Sequence, residues 1–258
     1  MLLAIDSGNT NIVFAIFDEG GAVKGEWRSS TDTNRTADEF GVWLEQLLKI
    51  ENISRTDINA AIIATVVPAT LFALKNLCTK YFNCDPMVVG DERVDLGLDV
   101  QIEKPNEAGA DRLVNAVAAH ETYGGPLIVI DFGTATTFDV IGSDGSYQGG
   151  AIAPGINLSM EALHLAAAQL PCIEVKRPDT VIGKNTVDSM LSGTFWGYIG
   201  MIEGLVVRIQ QEMRVDKVRV ISTGGLALLF SEYCDVIEIA DGDLTLRGLL
   251  SIHRRNSK

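Results

Sequence analysis

Apolar and polar positions alternate along this chain in a way that predicts its elements. Residues 2–5 are an apolar run closed by Asp6, and Ser7-Gly8-Asn9-Thr10 follow as a turn; this suits a buried strand leading into a glycine-containing reversal. Residues 12–17 and 23–28 predict two more strands around a turn at 18–21, and connections this short imply three consecutive antiparallel strands. Thr36 is placed to cap a helix in which Phe40, Trp43, Leu44, Leu47 and Leu48 recur at helical spacing. A buried strand is expected over 61–67. Pro68 then opens a second helix with Leu71, Leu74, Leu77 and Cys78 on one face, and 87–89 form a short strand. The predicted order is β-β-β-α-β-α-β.

After an acidic loop ending at Pro105, residues 108–121 read as a helix with Leu113, Val114, Val117 and Ala118 as its stripe. The opening pattern then returns. Residues 127–130 are apolar and closed by Asp131, Phe132-Gly133-Thr134 form a turn, 136–141 the next strand, Asp144-Gly145 a hairpin turn and 147–152 a third strand. Helices are expected over 157–168 and 186–213, strands over 218–222 and 236–239, and a last helix from near Leu244. The repeat divides the chain into similar halves, 1–122 and 123–258, each an α/β unit.

Composition narrows the partners. The 258 residues are 47% hydrophobic, enough for a large core and too much for a mainly disordered chain. With 21 Lys+Arg against 34 Asp+Glu, the formal charge of −13 argues against nonspecific nucleic-acid binding, which needs a basic footprint. Cys78, Cys84, Cys172 and Cys234 show no CxxC spacing and no nearby His, so neither a zinc site nor a disulfide framework is expected. His120, His164 and His253 form no cluster either. The longest apolar run, 60–74, is short for a bilayer and contains Pro68, and no basic leader opens the chain. A cytoplasmic protein with neither nucleic acid nor membrane as partner is expected.

The repeated turn carries the candidate chemistry. Asp-x-Gly-x-Thr occurs from Asp6 to Thr10, and Asp131 and Gly133 repeat it with hydroxyls from Thr134 and Thr136. A carboxylate at a strand end can hold a cation or its waters, and glycine lets backbone N–H groups approach a phosphate. The plainer reading, that both aspartates form Asx-turns, stays open. A third cluster, Ser222-Thr223-Gly224-Gly225, follows a strand and precedes a helix start at Leu226, where a flat adenine or ribose can lie on the backbone. Asp111, at a helix start, can accept an alcohol proton late in phosphoryl transfer, and Arg112 offers planar donors to a carboxylate or phosphoryl group. From the residues alone, a first-turn helix acid beside a surface arginine is the favoured account, since acids are common in first turns.

Together the three clusters resemble the actin, hexokinase and sugar-kinase superfamily. The match narrows at Gly109-Ala110-Asp111-Arg112. With Asp6 to Asn11, Asp131 to Thr137, Gly149 to Gly155, Gly183-Lys184-Asn185-Thr186 and Thr223-Gly224-Gly225 in order, the chain closely resembles type III pantothenate kinase. That resemblance implies two ribonuclease-H-like (actin-like) domains, each a mixed sheet flanked by helices, with the active site in the cleft between them. It implies ATP-dependent phosphorylation of pantothenate to 4'-phosphopantothenate in coenzyme A synthesis. Asp6, Ser7, Gly8, Asn9, Thr10, Asn11, Ile12 and Val13 would line the ATP phosphates, with Asp6 turned toward Mg²⁺ through water. Thr134, Gly224 and Gly225 would contact the nucleotide, and Asp131 would bind a monovalent cation, K⁺ or NH₄⁺. Gly109, Ala110, Asp111, Arg112 and Thr186 would bind pantothenate, with Asp111 as base.

The chain departs from the family at Ile102, where a tyrosine is common, and at Asn106 and Ala108, which bears on substrate affinity more than on reaction type. A kinase for another small alcohol, or an ATP-binding regulator of the accessory-factor kind, remains an alternative. Gly193, Gly197, Gly200 and Gly204 share one face of the expected 186–213 helix, where close approach of another helix or of a second copy in a homodimer would offset the cost of glycine in a helix.

Overall fold

The computed structural model describes residues 1–166, 170, 171 and 173–257. Cys172, and the end of the helix expected over 157–168, lie outside them. The chain divides into two compact units.

The first unit comprises Met1–Asp99, Glu103–Glu121 and the chain from Leu244 onward. Strands β1 (Leu2–Ser7), β2 (Asn11–Phe17) and β3 (Val23–Ser30) form the expected antiparallel run, and β4 (Ala60–Thr65) and β5 (Met87–Val88) join parallel to β1, in the order β3-β2-β1-β4-β5. Successive side chains take opposite faces of a strand. Leu3 and Ile5 accordingly pack with Phe40 and Leu44 of α1 (Ala37–Ile50) and Leu74 and Leu77 of α2 (Pro68–Phe82). Leu2 and Ala4 pack on the other face, with Val114 and Val117 of α3 (Ala110–Tyr123) and Leu246, Leu249 and Ile252 of α7 (Leu244–Asn256).

Thr36 caps α1 through a complete capping box with Glu39. Expected as far as residue 67, β4 stops at Thr65 because the Thr65 hydroxyl accepts the Val67 N–H at 3.0 Å, turning the chain just before Pro68 opens α2. Helix α7 is joined in sequence to the later strands, yet its apolar stripe belongs to the first sheet. At Gly248 a Cβ would strike the Val114 backbone, so α3 and α7 approach as only glycine permits. The compact units are therefore not the two sequential halves.

The second unit comprises Val100–Ile102 and Thr122–Asp243. Its strands β6 (Leu127–Phe132), β7 (Ala135–Ile141), β8 (Tyr147–Pro154), β9 (Arg219–Gly224) and β10 (Ile239–Ala240) take the order β8-β7-β6-β9-β10, the same topology as the first sheet. One face packs Ile128, Ile130 and Phe138 against Phe195, Ile199 and Ile202 of α5 (Thr186–Met213) and Phe230 of α6 (Ala227–Ser231). Helix α4 (Ile156–Ala166) runs beside α5. Strand β10 starts later than the expected 236, because Ile237 N–H donates to Cys234 C=O in a turn. Residues 100–102 join this unit through the Gln101 N–H, which donates to Tyr147 C=O at 2.8 Å.

By length and composition α5 could cross a membrane, a property that a search for unbroken apolar runs does not register. Its buried side chains Phe195, Ile199, Ile202 and Val206 belong to the core of the second unit, which identifies it as a core helix.

Candidate active site

In the first unit the β1–β2 turn is closed by the pair Ser7 and Ile12. Gly8 N–H donates to Asn11 C=O at 3.0 Å, the Thr31 hydroxyl donates to Gly8 C=O at 2.6 Å, and Thr31 N–H to Thr10 C=O at 2.9 Å. Asn9, Thr10 and Asn11 stand exposed at the tip, and Asp6 is half-buried at the strand end. Ser7 and Ile12 are fully buried. The Ser7 hydroxyl turns inward to Thr70 Oγ1 at 2.9 Å, while Thr70 spends its own proton on Val67 C=O. Ser7 and Ile12 can therefore serve a ligand only through their main chain. The buttresses Thr31 and Thr70 carry no motif, and the sequence reading missed them.

Asp6 continues the alternation of Leu2 and Ala4, placing its side chain on the α3 side of the sheet. The start of α3 lies at the same end of that sheet, because a Cβ on Gly109 would sit 3.6 Å from Val66 Cγ1, and Val66 N–H donates to Ser7 C=O. Asp111 Oδ1 folds back over Gly109, 2.6 Å from where a Cβ would stand, and accepts the Arg112 N–H at 2.8 Å. Burial raises the Asp111 carboxyl above its ordinary 3.8, opposed by the Arg112 amide and the positive charge of its guanidinium. The result is a held, half-desolvated carboxylate whose proton affinity is increased, as a general base requires.

In the second unit the β6–β7 turn is one residue shorter than its counterpart. Phe132 pairs with Thr136 across three residues, where Ser7 pairs with Ile12 across four. Gly133 N–H donates to Ala135 C=O, and Gly155 N–H to Thr134 C=O, both at 3.0 Å. Asp131 lies opposite Thr137 on β7 and Thr223 on β9. Gly224 has φ +88°, and a Cβ there would come 2.5 Å from Asp131 Oδ1; only glycine allows the third cluster to lie against that carboxylate. Gly225 faces open space. The structure thus brings Asp131, Thr134, Gly224 and Gly225 to one strand-end neighbourhood.

Thr186 opens α5, whose cap Asn185 accepts the Asp188 N–H at 2.9 Å. It lines a groove of about 840 Å³ along α4 and α5 with Leu163, Met190, Tyr198 and Met201. Gly109, Ala110, Asp111 and Arg112 belong to the first unit and Thr186 to the second. Ile102 lies against Gly149 of β8, its Cγ2 3.3 Å from where a Cβ would stand.

Among the described residues no group of three or more His, Cys, Asp or Glu is placed to hold a metal. Single carboxylates at strand ends suit ions that keep water or ligand oxygens in their shell. Asp6 beside an exposed turn fits water-mediated Mg²⁺. Asp131, with Thr137 as its cross-strand neighbour on the same face, presents oxygen groups of the kind a hard cation takes.

Comparison with known proteins identifies the family. The family model for type III pantothenate kinase matches residues 2–208. A type III pantothenate kinase of Paramagnetospirillum magneticum is 67% identical over 257 residues, covering 100% of this chain and 98% of the relative. Another, of Rhodospirillum rubrum, is 65% identical, covering 99% of each. Among solved structures, the activator of 2-hydroxyisocaproyl-CoA dehydratase from Clostridium difficile, with bound ADPNP, superposes with TM-score 0.57 at 13% identity over 97% of this chain and 92% of that one. This last likeness concerns the fold alone. The chain belongs to the type III pantothenate kinase family.

Proposed function

We propose that this protein transfers the γ-phosphoryl group of ATP to the primary hydroxyl of pantothenate, giving 4'-phosphopantothenate and ADP at the first step of coenzyme A synthesis. The observation that carries the reading is Asp111, a held carboxylate with raised proton affinity at the start of α3, in a chain of this family. Phosphoryl transfer to an alcohol has a loose transition state, so positioning and charge neutralisation dominate and the hydroxyl proton leaves late. As the alcohol oxygen bonds to phosphorus and the bond to the β-phosphate oxygen breaks, Asp111 takes the hydroxyl proton. Arg112 pairs with the pantothenate carboxylate or the moving phosphoryl oxygens. The main chain from Asp6 to Val13 and the Thr134 hydroxyl hold the phosphates, and Gly224 and Gly225 admit the adenosine. Mg²⁺ held through water by Asp6, and K⁺ or NH₄⁺ at Asp131, supply countercharge to the triphosphate that an acidic chain does not.

The protein is further proposed to be a cytoplasmic homodimer. Support comes from the glycine row of α5: nothing lies within 4 Å of a Cβ built on Gly193, Gly197 or Gly200. Among the described residues no side chain or backbone closes on that row at contact distance, although α4 runs beside it across the groove, so close approach of a second copy would account for glycine there. Incubation with ATP and pantothenate, with sugars and other small alcohols in parallel, tests the reaction. ADP and phosphopantothenate are expected by mass spectrometry, and turnover with another alcohol but none with pantothenate contradicts the reading.

A further inference from the structure

The second unit buries a polar network that its twin lacks. On β7, Asp139 is 0% exposed. Its Oδ2 accepts the Thr137 hydroxyl at 3.0 Å, and its Oδ1 accepts the hydroxyl of Tyr147, itself 1% exposed, at 2.9 Å. At the matching positions of the first unit stand Val13, opposite Asp6, and Ala15, opposite Ala4; in the second, Thr137 stands opposite Asp131 and Asp139 opposite Val129. The fold therefore closes with apolar side chains at these two places. Burying a carboxylate is costly unless its acceptors are filled, so the network calls for a reason beyond packing.

Directly opposed residues of an antiparallel pair share a face, with Cβ atoms about 4.5–5.5 Å apart, so Thr137 neighbours Asp131. A threonine hydroxyl has one proton and two lone pairs. Left to itself beside Asp131, it would donate to that carboxylate and occupy an oxygen a cation needs. Asp139, acceptor-only when ionised, takes the proton from the other side. We propose that Asp139 is a positioning residue: it draws off the Thr137 proton so that Thr137 Oγ1 and the Asp131 carboxylate stand side by side as acceptors for a dehydrated monovalent cation. Tyr147 holds Asp139 in place. This inference rests on the reading of Asp131 as the cation ligand.

The test uses the full chain, without substrates for the melts and with ATP and pantothenate for turnover. The thermal midpoint is followed against KCl at constant ionic strength, balanced with choline chloride, and the K⁺ activation constant for turnover is measured beside it. Wild type and Thr137→Ser should share one half-saturating K⁺ concentration. Thr137→Val, which keeps the shape and loses the oxygen, should raise it about tenfold or more, and Asp139→Asn should raise it similarly, in line with the loss seen when partners of metal ligands are removed. Should Asp139→Asn not fold, the serine and valine variants decide between them. Equal K⁺ dependence in wild type, Thr137→Ser and Thr137→Val overturns the proposal, as does an unchanged value in folded Asp139→Asn. No K⁺ response in the wild type, in stability and turnover alike, instead removes the cation reading at Asp131, and this inference with it.

Discussion

Asp111 concentrates the tension between stability and activity in one side chain. Burial raises its carboxyl above 3.8, so the folded chain holds that proton more tightly than the unfolded chain does. Linkage fixes the sign: its contribution to stability is most favourable below the ordinary carboxylate value, declines as pH rises to the raised one, and stays at the lower level beyond it. Asp111→Asn removes the buried charge. The variant should gain stability relative to wild type at pH 7, with the gain shrinking below the ordinary carboxylate value; thermal melts of both proteins across pH check this. The kcat/KM of wild type should fall on the acid side with a limb above 3.8, because the base must be ionised to accept the hydroxyl proton. On the residues alone the sequence favoured Asp111 as a first-turn helix acid and offered the base as the alternative. The burial that raises its carboxyl is a product of packing, which spacing along the chain does not reveal.

Among the elements, the turns were legible and their supports were not. Strand, aspartate and glycine follow one another in the chain, so both turns could be read from it. Thr70 and Thr31 brace the first turn across 63 and 23 residues of chain, and spacing does not reveal such partners. The one-residue shortening of the second turn was equally hidden, although it decides that a valine faces Asp6 and a threonine faces Asp131. The third cluster was read as a flat seat for adenosine; the structure adds that Gly224 lies against Asp131 with φ +88°. Gly224→Ala should cost about 1–2 kcal/mol from the backbone alone and push the Asp131 carboxylate aside. A lower melting midpoint together with a raised KM for ATP is expected, and an unchanged KM contradicts the placement of that turn beside the nucleotide.

For the whole molecule, the internal repeat carried most of the fold: two five-stranded sheets of one topology follow from one strand pattern met twice. It misassigned only what a repeat cannot express. Helix α7 follows β10 in sequence but completes the first unit through Leu246, Leu249 and Ile252. The glycine row of α5 belongs to the same scale, since among the described residues nothing lies within 4 Å of a Cβ at Gly193, Gly197 or Gly200. Gly197→Glu introduces a side chain into open space and should leave the fold intact while breaking the proposed dimer; light scattering should give half the wild-type mass, and an unchanged mass would place the interface elsewhere. Beneath all of this stands the assignment of Asp111 as the base for pantothenate. It is tested most directly by the rate of phosphopantothenate formation from ATP and pantothenate in wild type and Asp111→Asn. The account predicts turnover by the wild type and a loss of about 10²–10⁴-fold in the folded variant; equal rates in the two proteins would contradict it.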